Sequence, residues 1–387
     1  MKLENVAADI GELGQKVLVM QGGGALGAYQ VGVYRALHQA GIDFDWVIGT
    51  SIGAINASLI AGNAWDDRIA ALESFWERVT RDTALARFFP NFERAILNAQ
   101  TFTTGLPGFF RPNPMAFMNP FYPLGPEEAG YYSTEPLRKT LSDLVDPTNI
   151  AKHGTDLSVG AASVSDGELT YFHSRPPNPR ANEPTTLTVD HVMASGALPP
   201  AFPPVRIEGK LYWDGGILSN TPIEAVLDAN PRMDNIIFSV QLWNQDGSEP
   251  QSMWDVFNRE KDIQYASRAE TQVARQKELH KLRHIIKELA NTIPDDLKTD
   301  AVDEMASWGC LTRNHIVRFL APTLENEDHL KDIDFSPDGV AARAAAGYEH
   351  TCRALEAAPW NDPFDPIEGV IFHDTCGGER ITSSLSN

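Results

Sequence analysis

Cysteine is scarce in this chain: Cys310, Cys352 and Cys376 are the only three among 387 residues. They are widely spaced and odd in number, which fits neither a disulfide framework nor a zinc spacing. Such usage suits a reducing compartment, and a cytoplasmic location is expected. Basic residues are also in deficit. Lys and Arg number 32 against 52 Asp and Glu, a formal charge of −20. A field of that sign repels phosphate backbones and argues against nucleic acid as a partner. It also repels anionic lipid, unless a local basic or aromatic patch overrides it. Long apolar runs are missing as well. None reaches the roughly eighteen residues of a membrane span. The opening MKLENVAADIGELGQK carries Glu4, Asp9 and Glu12 and no apolar stretch, so no secretory leader is expected, though export by another route stays open.

What the chain does have is apolar substance, 42% of its residues, enough to bury a large core. Lys16 to Met20 reads as a buried strand running into glycines, and Gly27 to Ala40 as a helix. Phe44 to Ile48 repeats the strand pattern, followed by a small-residue helix from Ser51 to Ala61 and more helix over Leu72 to Val79. Leu157 to Ala162 and Leu169 to His173 predict a strand pair about the turn Ser165-Asp166-Gly167. Short strands follow at Lys210 to Trp213 and Ile236 to Leu242. From Val256 to Ala290 the period is helical, with Leu279, Leu282, Ile286 and Leu289 on one face. His315 to Leu320 reads as the last strand, and Val340 to Leu355 as the last helix. Strands alternating with helices predict an α/β fold whose mostly parallel sheet lies between helical layers, with its site beyond the carboxyl ends of the strands.

Three motifs carry chemistry. Gly22-Gly23-Gly24-Ala25-Leu26-Gly27 contains G-x-G-x-x-G between a strand and a helix. Alone it suggests a dinucleotide site, with Asp43 or Asp45 as the ribose acid. More generally, successive glycine amides at a helix start stabilise an anion, phosphate or oxyanion. Gly49-Thr50-Ser51-Ile52-Gly53 lies where a nucleophile elbow would, on a strained turn that pushes the serine out. The plainer reading is a serine-capped turn. Asp214-Gly215-Gly216, running on to Asn220 and Pro222, could aim a carboxylate after a short strand, or be an ordinary D-G turn.

In order, QGGGALGAYQVGVYRAL, GTSIGAINA, ASGALPPAFPPV and DGGILSNTP resemble the signature of patatin-like phospholipases, across roughly residues 17 to 240. The resemblance implies a patatin-like three-layer α/β/α fold and hydrolysis of lipid acyl esters without a cofactor or metal. It implies a dyad of Ser51 and Asp214, an oxyanion hole in Gly22, Gly23 and Gly24, and supporting roles for Gly27, Gly49, Gly53, Gly215 and Gly216. Residues 16–245 are then the catalytic domain, preceded by a tail at 1–15. Residues 84–133 form an aromatic-rich cap. A helical extension at 250–360, of unknown role, packs on the domain as in a bacterial subgroup, and 361–387 is a tail. One departure stands out: many relatives carry Arg or Lys where this chain has Leu26, which removes a nearby cation that could meet an anionic head group.

Other groupings compete. A histidine triad would have to recruit His315, His350 or His373, none of which lies in a motif. His280 and His284 are i, i+4 on a helix and could share a metal, but surface histidines are commoner. The rings from Phe88 to Tyr132 could line an acyl site, touch a lipid surface, or form a small core of their own. Three functions follow: an ester hydrolase acting on lipids, short-chain esters or an intracellular polyester, a nucleotide-dependent oxidoreductase, and a silent lipid-binding protein. The oxidoreductase leaves the second and third motifs unexplained. Substrate chain length, head group and oligomeric state are not written in the sequence.

Overall fold

The computed structural model describes residues 6–375 apart from 82–92, 120, 151, 153, 176–185, 248, 325, 326 and 328. Phe88, Phe89, Phe92, His153 and Cys376 lie outside the described residues.

Eleven strands are present among the described residues: β1 Gln15–Met20, β2 Trp46–Gly49, β3 Arg111–Pro112, β4 Tyr132–Ser133, β5 Asp156–Ser163, β6 Leu169–His173, β7 Val205–Ile207, β8 Lys210–Asp214, β9 Asn235–Gln241, β10 Asn314–Leu320 and β11 Val370–Asp374. Nine form one sheet in the order β11-β10-β9-β1-β2-β5-β8-β7, with β6 paired to β5; β3 and β4 form a separate two-stranded antiparallel sheet. The run from β11 to β5 is parallel, and β6, β7 and β8 are added antiparallel. The central strands are apolar throughout because both faces are covered. On one face Leu18, Val47, Phe238 and Phe319 meet the helices Ala28–Gln39, Ile52–Ala61, Arg68–Val79 and Pro337–Ala357. On the other, Val17, Val19, Ile48 and Ile237 pack with Ile223 and Leu227 and with Val273 of the helix Met253–Asn291. The expected α/β/α layering is therefore the observed one.

Some expectations need correcting. Residues 1–15 are not simply a tail: Val6–Gly11 is helical, and Val6 and Ile10 are buried in the main core. The segment beyond 250 is not purely helical, because β10 and β11 extend the same sheet. β11 lies within the stretch expected as a tail, and its Val370 and Ile371 are buried. The aromatic stretch, expected as a cap, holds the helices Glu93–Thr104 and Pro114–Met118 and the β3–β4 pair. The helix Met253–Asn291 turns its expected packing face outward. Leu282 and Leu289 are exposed while His280 and His284 are buried. His280 Nε2 contacts the Leu227 carbonyl at 3.2 Å, and the backbone of Gly369 passes beside its Cβ. The side offering backbone partners and close approach has won over the greasier one.

The helix Ala28–Gln39, which carries the glycine loop at its start, lies directly on Pro337–Ala357. A Cβ on Gly32 would stand 1.8 Å from the Ala344 carbonyl oxygen, and one on Gly347 2.1 Å from that of Tyr29. No side chain can yield there, since both obstacles are backbone. Gly32→Ala is expected to cost about 1–3 kcal/mol or more by overpacking. The urea midpoint would record it, and an unchanged midpoint would contradict this packing.

Candidate active site

Strand register brings the second and third motifs together. Gly49 at the end of β2 pairs with Val159 of β5, and Asp214 at the end of β8 pairs with Ala161, two residues further along the same strand. Ser51 and Asp214 therefore leave the sheet side by side. Between them, the Gly160 carbonyl passes 2.5 Å from where a Cβ on Gly215 would be, so only glycine follows Asp214.

Ser51 has φ 57° and ψ −126°, a conformation that L residues rarely adopt and that stores strain. Its surroundings hold it there. Its amide donates to Ser195 Oγ at 3.1 Å, and Ser195 Oγ donates to the Gly160 carbonyl at 2.6 Å. The helix Ile52–Ala61 starts at once, with Gly53 pressed onto β1: a Cβ there would lie 2.2 Å from the Met20 carbonyl oxygen. Gly49 abuts Gly53, and Gly27 abuts Ile52, so these glycines serve the same close packing.

Asp214 is buried, and its Oδ1 accepts from the Gly216 amide at 2.7 Å. Loss of hydration pushes its pKa up from 3.8 to about 7, while hydrogen bonding from the Ser51 side chain and the Gly216 amide pulls it the other way. No basic side chain is among the causes of the shift.

The glycine loop closes the arrangement. Its three glycines line the same cavity as Ser51 and Asp214. The Gly22 amide is committed, donating to the Asn220 carbonyl at 3.2 Å. The Gly22 carbonyl accepts from Asn220 Nδ2 at 3.0 Å and Trp243 Nε1 at 2.8 Å. Behind the loop, Gln30 Nε2 donates to the Gln21 carbonyl and Asn56 Nδ2 to Gln30 Oε1, while Asn56 Oδ1 accepts from Trp76 Nε1. This buried chain of amides leaves the loop little freedom.

The cavity has a volume of about 190 Å³. Apart from the motifs its walls are largely apolar: Ile55, Phe109, Phe110, Tyr132, Leu198 and Phe202 from the first 250 residues, then Tyr265, Ile333 and Phe335 from beyond. Sequence reasoning missed the last three, which belong to no motif, and missed Ser195, Asn220 and Trp243 as supports. Phe109, Phe110, Tyr132 and Phe202 pack on one another with centroids 4.9 to 6.4 Å apart, and Phe109 reaches Phe335 at 5.9 Å and Phe75 at 6.5 Å. The aromatic region thus both forms a small core and lines the cavity.

The competing residues lie elsewhere. No histidine lines the cavity among the described residues. His315 and His373 contact each other at 3.0 Å, and His350 contacts Tyr29 Oη at 2.6 Å. Asp43 pairs with buried Arg68 at 2.7 Å, and Asp45 accepts from the Lys16 amide at 2.8 Å, so both proposed ribose acids are used structurally. Leu26 is buried in the core and lines no part of the cavity.

The raised Asp214 pKa has a consequence for stability. Between about pH 4 and about pH 7 the folded protein keeps a proton that the unfolded chain releases. The contribution of this group therefore falls as pH rises through that window. Compared with wild type, Asp214→Asn is expected to lose this decline, as read from urea midpoints across the window. Parallel profiles for the two proteins would contradict a buried, raised carboxyl.

Comparison with known proteins gives the family. A family profile described as patatin-like phospholipase matches residues 18–227, and a second, described as patatin phospholipase, matches 263–367. Lysophospholipase nte1 of Aspergillus terreus is 26% identical over 238 residues, covering 62% of this chain and 12% of that protein. The Aspergillus niger counterpart is 26% identical over 249 residues, covering 62% and 13%. This chain thus spans only a small part of the length of these relatives. VipD from Legionella pneumophila, a solved structure, aligns with a TM-score of 0.35 and 14% identity, over 89% of this chain and 67% of that one. With the first profile covering more than half of its residues, the chain belongs to the patatin-like phospholipase family.

Proposed function

We propose that this protein is a serine carboxylic-ester hydrolase of lipid acyl esters, phospholipid or lysophospholipid among them, working through Ser51 and Asp214. The observation that carries the reading is a strained serine beside a fully buried carboxyl in one largely apolar cavity. The name lysophospholipase carried by the relatives supports a lipid substrate.

Asp214 takes the proton of Ser51 Oγ as the oxygen attacks the ester carbonyl. A free aspartate is too acidic for this, but one raised to about 7 is matched to neutral pH. The negative charge developing on the carbonyl oxygen is met by amides of the glycine loop. With the Gly22 amide already committed to Asn220, Gly23 and Gly24 are the donors proposed. Asp214 then passes its proton to the leaving alkoxide, giving an acyl-enzyme on Ser51. A water molecule, deprotonated by Asp214, attacks that acyl group; Asp214 returns the proton to Ser51 Oγ as the bond to the acyl carbon breaks and the fatty acid leaves. Desolvation of the carboxyl and binding of an acyl chain are served by the same apolar walls.

The cavity mouth has a second feature. Phe102 lines the cavity and is half exposed. Phe117 packs on Tyr132, another lining residue, at 5.8 Å, and is exposed itself. Next to it in the chain, Met118 is 79% exposed and Phe121 91% exposed. Exposed apolar groups continuous with a substrate cavity suit a lipid surface, and overcome locally the repulsion of an acidic protein. With its cysteine usage, the protein is read as cytoplasmic with peripheral membrane contact, its catalytic unit 16–245 completed by the walls that Tyr265, Ile333 and Phe335 add.

Hydrolysis of p-nitrophenyl esters across acyl lengths tests the chemistry and separates a short-chain esterase from a lipase. Ser51→Ala and Asp214→Asn should each lower kcat by at least about a thousandfold. Full activity in either variant would rule out the dyad, and an inactive wild type would favour the silent binding protein. For the membrane contact, Phe117→Ser with Phe121→Ser should reduce hydrolysis of phospholipid in vesicles while sparing soluble short esters. Equal effects on both substrates would remove the surface role.

A further inference from the structure

The C-terminal segment reaches the glycine loop in two ways, directly through Asp332 and by way of Trp243 through Lys331, and both are tied to the long helix by a crossed pair of ion pairs. On the helix Met253–Asn291, Lys261 and Asp262 are adjacent. On the strap that follows β10, Lys331 and Asp332 are adjacent in the same Lys-Asp order. Lys261 Nζ bonds Asp332 Oδ1 at 2.7 Å, and Lys331 Nζ bonds Asp262 Oδ1 at 2.6 Å. Lys331 and Asp262 are both buried.

From this clamp two contacts run to the loop. The Asp332 carbonyl accepts from the Ala25 amide at 2.8 Å, and lies 2.2 Å from where a Cβ on Gly24 would be. The Lys331 ammonium stands 5.5 Å from the centroid of the Trp243 ring, which also packs on Tyr265 at 4.8 Å. Trp243 Nε1 in turn donates to the Gly22 carbonyl. A trans peptide is planar, so its carbonyl and its amide hydrogen point opposite ways. Fixing the Gly22 carbonyl against Trp243 and Asn220 therefore turns the Gly23 amide away from them.

We infer that the clamp of Lys261, Asp262, Lys331 and Asp332 positions the oxyanion loop, with Trp243 as the relay to the Gly22–Gly23 peptide. The inference rests on the hydrolase reading above. It gives the segment beyond 250 a role: it completes the site instead of merely packing against the domain. The cation that position 26 lacks has no substitute in Lys331, which is fully engaged by Asp262 and the indole. Trp243 and Asp332 also line the cavity, but the role inferred for all five residues runs through the loop, so they are positioning residues.

A donor meeting charge only in the transition state changes kcat and leaves ground-state binding alone. Trp243→Phe keeps the ring for Lys331 and Tyr265 but removes the N–H. It should lower kcat on a soluble p-nitrophenyl ester on the order of tenfold to a hundredfold, with KM within about twofold. Lys331→Met should act in the same direction and also destabilise the fold, because it strands a buried carboxylate. Adding Asp262→Leu should restore stability but not kcat, an outcome that a purely structural clamp does not give. Hydrogen exchange at residues 22–26, measured on the same variants, should be faster than in wild type. Unchanged kcat in a stable Trp243→Phe, or recovery of kcat with stability in the double variant, would overturn the clamp. Should the wild type itself prove inactive, the hydrolase reading fails, and exchange at the loop alone decides whether the clamp holds it.

Discussion

Asp214 is a carboxyl held out of water with no cation among the described residues contributing to its shift. Much of the site can be read as a response to that constraint. An isolated buried charge is costly, so the group shifts toward its neutral form until its pKa lies near 7. The Gly216 amide and the Ser51 side chain offset part of the cost. The carboxyl lines the same cavity as the Phe, Ile and Leu side chains proposed to hold an acyl chain.

The second constraint is proximity. Ser51 and Asp214 are brought together by backbone register on β5, and the segments around them approach closer than a methyl group allows at Gly215 and Gly53. Such packing leaves the strained Ser51 few alternatives. It also explains why distant parts of the chain are needed. Ser195 fixes the Ser51 amide, Trp243 and Asn220 fix the Gly22 carbonyl, and the strap at 332 blocks the back of Gly24. The sheet supplies the frame, and the C-terminal segment closes it by adding β10 and β11 and a cavity wall.

The motif residues were legible because each needs a local context that sequence displays: an apolar run, then glycines, then a helical pattern. β1 with the glycine loop, β2 with Ser51 and β8 with Asp214 all follow that form. The β5–β6 pair was legible from its turn. Elements without such punctuation were not. β7 is three residues long, β11 is a short apolar run in a polar stretch, and the helix Glu93–Thr104 is hidden among rings and prolines. The long helix misled more deeply: its periodicity correctly predicted a helix, but not the face it would bury. That choice depended on the Leu227 carbonyl and the Gly369 backbone, far away in sequence. Supports such as Trp243 and Asp332 act through the indole N–H and a backbone carbonyl, groups that leave no pattern in the chain.

The central claim is that a carboxyl raised to about 7 activates Ser51. The rate at which a fluorophosphonate labels Ser51, followed by mass spectrometry from about pH 4 to about pH 9, tests it most directly. The account predicts that labelling at Ser51 rises with pH along a single ionisation near 7. A midpoint near 4, a rate independent of pH, or label on any residue other than Ser51 would contradict it.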